Sequence, residues 1–347
     1  MVVDGCGETR LASSSSLPDL LSPGDLVVVN DAATLPASLP ARTSSGEPVE
    51  IRLVGLRGDG ASPRFTAALM GRGDHRTRTE DRDPPPPVAL GDVLFLSDAL
   101  RARVVRIASF TSRLVDLDFE TSPARPGGGG PHVWEEIYRV GRPVQYAHVP
   151  ERLALWDVQN VWAGRPWAVE MPSAGRALTM ETILSLRARG IEVARITHAA
   201  GLSATGDPEI DRRLPLPERF EVSAETARAV TRARQRGANV VAIGTSVVRA
   251  LESAARVSPR GTLAAASGIT DLRLSPDSAL RVVDAILTGV HESDTSHFEL
   301  LGAFARRATL DVALETAERE HLLGHEFGDA WLVWTPSRGC ASATVAA

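Results

Sequence analysis

Beyond residue 165 the sequence changes period, and this change constrains the fold more than any other feature. PWAVEM (166–171) reads as a strand. Thr179 can cap a helix that runs to Arg189, and Gly190 ends it. IEVARITH (191–198) is the next strand. Ser223 can cap a helix through Arg236, which Gly237 closes; NVVAI then forms a strand, and a helix starts at Ser246. Residues 295–307 and 310–323 read as two more helices, and AWLVW (330–334) as a last strand. Strand and helix alternating through short links are the signature of a largely parallel α/β sheet.

The earlier sequence reads differently. LPDLLSPGDLVVVN (17–30) predicts a short helical turn, a Pro-Gly-Asp turn and a strand ending at Asn30. From Val49 to Phe119 the segments VEIRLVG, RFTAALM, DVLFL, RARVVRIA and SRLVDLDF are rich in branched residues and partly alternate. Several short strands with turn signals between them predict a small barrel or sandwich. Residues 74–87, charged and then proline-rich, read as an exposed loop; PARPGGGGP (123–131) reads as a flexible connector, and the tail from Pro336 as disordered.

Composition narrows the function classes. A chain of 347 residues fits two domains, or one domain with a large insertion. Hydrophobic residues at 43% supply a substantial core, and no apolar run reaches the roughly 18 residues that span a bilayer. The start, MVVDGCGETRLASSSS, lacks the basic and apolar segments of a secretory signal, so a cytoplasmic location is expected. Cys6 and Cys340 are too few for a disulfide framework or a cysteine zinc site. Every basic residue is arginine, which excludes lysine Schiff-base chemistry and a lysine-bearing phosphate loop. The net charge of −5 means that a nucleic-acid partner needs a local arginine patch. Residues 50–113 lean basic; the plainer alternative is a solvated surface in an arginine-rich protein.

In open α/β sheets ligands bind beyond the carboxyl ends of the strands. Four such ends are readable: MPSAG (171–175), THAAGLSATGD (197–207), GTS (244–246) and LTGVHESDTS (287–296). At the third, a helix starting at Ser246 exposes unpaired N–H groups and a partial positive charge. Gly244 lets a ligand approach the backbone, Thr245 and Ser246 add donors, and Arg249 can add a bidentate fork for a small anion. The alternative is that Ser246 is only an N-cap and Arg249 pairs with Glu252 along the helix. His198 and His291 are the acid–base candidates, since imidazole titrates near neutrality. His321 and His325 could share a helix face, but no third ligand is evident and no metal site is expected.

These loops resemble the S-adenosylmethionine:tRNA ribosyltransferase-isomerase family of the queuosine pathway. GTSVVRALESA is close to that family's GTTSVR-x-LESA, and MPSAGRALT is similar to its APTAGLHFT. VVDAILTGVH, EFGDAWLV, PGDLVVVNDAATLPASL and VQNVW resemble further family stretches in the same order along nearly the whole chain. The resemblance implies an α/β domain (1–42 and 121–335) with an inserted antiparallel β-barrel (43–120). It also implies transfer and isomerisation of the ribosyl part of S-adenosylmethionine onto a 7-deazaguanine base in tRNA, releasing adenine and methionine. S-adenosylmethionine is then a substrate, and no prosthetic group is expected. On this reading Gly244, Thr245, Ser246 and Arg249 hold the amino-acid end of S-adenosylmethionine, with Ser173 and Gly175 lining the same cleft. His198 and His291, with Asp329, are the catalytic candidates.

The chain departs from the family pattern at several places. Arg176-Ala177-Leu178 stands where the family has Leu-His-Phe, Asn30-Asp31-Ala32-Ala33 where it has Asn-Asn-Thr-Arg, and Gly289 and Ser293 flank the late His291 in place of Asn and Pro. Two alternatives therefore stay open: a paralogue that uses S-adenosylmethionine with a small-molecule acceptor, and a non-catalytic nucleoside-binding protein. Sequence sets neither the acceptor nor the oligomeric state.

Overall fold

The computed structural model describes residues 1–56, 63–122, 132–293 and 295–336. The expected connector at 123–131 and the tail from 337 onward lie outside the described residues.

Nine strands form one sheet, in the order Ala266–Thr270, Glu218–Val222, Glu192–His198, Leu26–Asn30, Val240–Ile243, Ala285–Gly289, Ala330–Trp334, Val2–Val3 and Thr9–Arg10. The central four run parallel. Antiparallel strands close this block on both sides, Glu218–Val222 against His198 and Ala330–Trp334 against Gly289. Leu26–Asn30 and Val240–Ile243 read as near-continuous apolar runs because both of their faces are covered. Leu26–Asn30 is buried at every position. Its alternate residues feed two cores: Leu26 and Val28 pack with the helices Ala224–Gln235 and Thr245–Val257, while Val27 and Val29 pack with Leu178, Leu186 and Leu332. Thr179 and Ser223 cap their helices as the sequence indicates, each accepting from the N–H three residues on.

Two expectations shift. PWAVEM contributes the strand Arg165–Ala168, but it pairs with Ala32–Thr34 in a separate two-stranded sheet. The last two helices are shorter and displaced, Ser296–Leu301 and Arg307–Arg319.

The early β segments close into an antiparallel six-stranded barrel, in the order Leu114–Thr121, Arg64–Met70, Pro48–Leu56, Ser38–Arg42, Val93–Phe95 and Leu100–Ile107. Alternation fills it: Leu100, Ala102 and Val104 point inward, with the arginines Arg101 and Arg103 between them. Its core continues into Val144, Val169, Leu202, Ile210 and Leu214, which fixes the barrel to the loop that follows His198. No helix among the described residues is long and apolar enough to cross a membrane.

Candidate active site

The carboxyl ends of the central strands lie level, and one side chain ties them together. Asn30 donates through Nδ2 to His198 O (2.9 Å) and to Ser246 Oγ (3.2 Å), while its Oδ1 accepts from the N–H groups of His198 (2.9 Å) and Ala32 (3.0 Å). Beyond these ends opens a cleft of about 320 Å³. Its walls come from all four expected strand ends and from residues 144–148 and 324–327.

The turn at Gly244 forms the floor. Gly244 is the N-cap residue, and its helix starts at Thr245, one residue earlier than expected. Its backbone sits at φ 98° and ψ 155°, a region that L side chains rarely adopt. Ser246 is not the N-cap: its hydroxyl accepts from Asn30. Val247 and Val248 donate to Gly244 O, so the N–H groups of Thr245 and Ser246, both lining the cleft, are the ones left at the positive end of this 13-residue helix.

Arg249 lies one turn in and is 4% exposed. Its Nε donates to Leu272 O at 2.9 Å and its Nη1 to Glu218 Oε2. Its Nη2 is buried and has no partner among the described residues. Burial lowers its pKa to about 10. Glu252 is engaged elsewhere, accepting from the backbone N–H groups of Arg281, Val282 and Val283 at 2.9–3.2 Å, so the pairing along the helix does not form with Arg249. Two of the three guanidinium nitrogens are thus committed within the protein, and one remains for a ligand.

The two expected histidines separate. His198 is fully buried behind the cleft wall, with Nε2 3.4 Å from Glu218 Oε2. Burial and the Arg249 charge push its pKa well below 6.5, so it is neutral near pH 7. His291 does line the cleft. Its Nε2 bonds Thr288 Oγ1 at 2.7 Å, and its ring stacks on His297 at 4.9 Å between centroids and 19° between planes. Burial lowers both rings, His297 to about 4 with Arg249 adding to the effect.

Of the remaining expected residues, Ser173 lines the cleft and two do not. Gly175 is buried against Asn160, where a Cβ would come within 2.9 Å of Asn160 Nδ2; its role is close packing. Asp329 faces a neighbouring cavity, accepts from Leu323 N–H at 2.9 Å and acts on the charged N-terminus of Met1.

Several lining residues were not anticipated. Glu170 accepts from Tyr146 Oη, from Ser203 N–H (2.9 Å) and from Ser203 Oγ (2.7 Å). Burial raises its pKa above 4.5 despite these bonds, and raises Tyr146 well above 10. Glu218, Arg273, Glu292, Glu299, Glu326 and the neutral His297 also line the cleft, and His325 stacks on His148 at 5.6 Å. Glu170 and Tyr146 carry no motif; only their meeting in space marks them. Among the described residues no group of three or more His, Cys, Asp or Glu could hold a metal ion.

The chain matches the family model described as queuosine biosynthesis protein over residues 1–333. It is 32% identical over 337 residues to the S-adenosylmethionine:tRNA ribosyltransferase-isomerase of an Anaeromyxobacter species, covering 95% of this chain and 89% of that one. It is 34% identical over 346 residues to the protein of the same name from Thermus thermophilus, covering 96% and 91%. A crystal structure of an S-adenosylmethionine tRNA ribosyltransferase from Thermotoga maritima aligns at a TM-score of 0.48 and 22% identity, covering 96% and 90%.

Proposed function

The chain belongs to the queuosine biosynthesis protein family, and from that premise we propose that it is an S-adenosylmethionine:tRNA ribosyltransferase-isomerase. It moves the ribosyl part of S-adenosylmethionine onto a 7-deazaguanine base in tRNA, with isomerisation and loss of adenine and methionine. The observation that carries this reading is the Gly244 turn, where a helix N-terminus and Arg249, whose buried Nη2 has no partner among the described residues, line one cleft. That turn takes the methionine carboxylate, since both features favour an anion.

The sulfonium acidifies the adjoining 5′ carbon, so a base there can remove a proton. His291 is neutral and its Nε2 is held by Thr288, which leaves Nδ1 as the ring nitrogen facing a substrate. Departure of adenine requires a proton donor, and Glu170, whose raised pKa favours the acid form, fills that role. His198 acts as a positioning residue, backing the Glu218 carboxylate that holds Arg249. Ser173 lines the cleft beside the anion turn.

The test is to incubate the protein with S-adenosylmethionine, with and without tRNA bearing the deazaguanine base, and to quantify adenine and methionine. Release that requires this tRNA is expected. Release without it would replace the acceptor by another molecule or water, and binding with no release in either case would reject the enzymatic reading.

A further inference from the structure

A second and larger cavity, about 840 Å³, opens on the barrel, bounded by residues 71–75 and 142–153. Seven arginines line it against three carboxylates, Glu50, Asp74 and Asp98, in a chain whose net charge is −5. Strand register orders part of this charge. Arg42 stands directly opposite Phe95, and Phe95 directly opposite Arg101. Directly opposed residues share a sheet face, so the three form one row across three strands. Phe95 is 46% exposed in that row, an aromatic face presented to water between two guanidinium groups.

The rim and floor add to this. Arg72, Arg142 and Arg152 are exposed, and their side chains make no hydrogen bond or ion pair among the described residues. Beneath them Arg52 and Arg82 both pair with Glu50, and each keeps one buried nitrogen without a partner among the described residues, Nη1 of Arg52 and Nε of Arg82. The cavity also adjoins the candidate active site through one chain segment. Arg142 and Arg152 lie in the cavity, whereas Tyr146 and His148, from the same segment, lie in the cleft. The Arg52 guanidinium sits over the Tyr146 ring, 5.5 Å from its centroid.

We propose that this cavity is a groove for single-stranded RNA, in which the arginines take backbone phosphates and Phe95 stacks an unpaired base. A positively charged track interleaved with an exposed aromatic is how single strands are held, because every base offers a π face and every linkage a charge. The strand then reaches the cleft past the Arg52–Tyr146 contact. The inference rests on the reading of this chain as an enzyme that acts on a base in tRNA, and adds where and how the RNA lies.

The experiment titrates a tRNA transcript against wild type, Arg72→Gln/Arg142→Gln/Arg152→Gln and Phe95→Ala at several salt concentrations, with S-adenosylmethionine affinity measured on the same proteins. All four side chains are at the surface, so the variants should keep their melting temperature and their S-adenosylmethionine affinity. The triple variant should lose affinity for RNA and flatten the salt dependence by about 2 in log–log slope, from about 0.7 per single-strand phosphate contact. Phe95→Ala should weaken RNA binding by about 5- to 150-fold with the salt slope unchanged. Wild-type RNA binding that neither variant alters overturns the groove and leaves the proposed function standing. A wild type that binds no RNA overturns both. Loss in the triple variant with Phe95→Ala silent, and equal loss for heparin, makes the cavity a general anion surface and overturns the RNA assignment.

Discussion

Arg249 Nη1 donates to Glu218 Oε2, and this ion pair, with the bond from Nε to Leu272 O, leaves the buried Nη2 as the guanidinium nitrogen without a partner among the described residues. The pair joins the helix after Gly244 to the strand beside His198, so the anion site is held by one helix and one strand of the sheet. Replacement by lysine tests this geometry. Arg249→Lys retains a charge for Glu218 but has no second nitrogen to offer a ligand. S-adenosylmethionine affinity, measured by calorimetry, should fall roughly 10- to 150-fold, the range of a hydrogen bond to a charged group. Unchanged affinity removes Arg249 from the binding site.

Gly244→Ala probes the turn itself. Gly244 holds φ 98° and ψ 155°, and an added Cβ would meet Ala174 Cβ at 3.4 Å. A non-glycine residue in such a region costs about 1–3 kcal/mol. The urea midpoint should fall accordingly, with weaker S-adenosylmethionine binding. A neutral substitution would mean that the turn relaxes and that its conformation is not required.

The sequence carried much of this arrangement, and the reasons for the rest are physical. Leu26–Asn30 and Val240–Ile243 were legible because strands buried on both faces read as near-continuous apolar runs, and Glu192–His198, exposed at Glu192 and Arg195, was legible from its branched residues after the Gly190 stop. The barrel strand Ser38–Arg42 was not, since Pro40 interrupts its alternation. It precedes residue 43, where the insertion was expected to begin. The Gly244 turn and its helix were readable from local chemistry. The partner of Arg249 was not, because local spacing offers only Glu252, which the backbone N–H groups of 281–283 occupy, whereas Glu218 lies 31 residues away. Glu170 was hidden for a related reason: its neighbours Tyr146 and Ser203 lie 24 and 33 residues away.

Glu170→Gln tests the proton donor. The raised pKa keeps Glu170 protonated to higher pH than an ordinary carboxyl, so activity that depends on the acid should decline as pH rises through that value. The amide preserves shape and can still accept from Ser203. Turnover should drop about 10²- to 10⁴-fold, the usual contribution of a positioned acid, with S-adenosylmethionine affinity retained, and the alkaline limb should vanish. A variant with normal turnover and an unchanged pH profile would assign Glu170 to structure alone.

His297 links the cleft to acid stability. Burial, with the Arg249 charge adding to it, lowers its pKa from 6.5 to about 4. Between these values the unfolded chain binds a proton that the folded chain does not. Stability therefore falls as pH drops from 6.5 to about 4, and this group contributes no further loss below that. Across this window the melting temperature of His297→Gln should depend less on pH than that of wild type. Parallel curves would show that the ring is not held neutral.

Glu50 works in the opposite chemical sense beneath the arginine groove. Burial alone would raise its carboxyl, but the Arg52 and Arg82 guanidiniums hold it down to about 2. The folded value lies below the ordinary 4.5, so its stabilising contribution is complete above pH 4.5 and is lost as pH falls towards 2. Glu50→Gln would leave two buried guanidiniums without their counter-charge, since Arg52 and Arg82 side chains are 2% and 1% exposed. Breaking a buried pair from one side destabilises by about 3–5 kcal/mol. Denaturant unfolding at pH 7 should show a loss of that order, and the variant should lose less than wild type between pH 4.5 and 2. A loss at pH 7 comparable to that of an exposed ion pair, about 1 kcal/mol or less, would mean that water reaches the groove floor and shares the charge of both arginines.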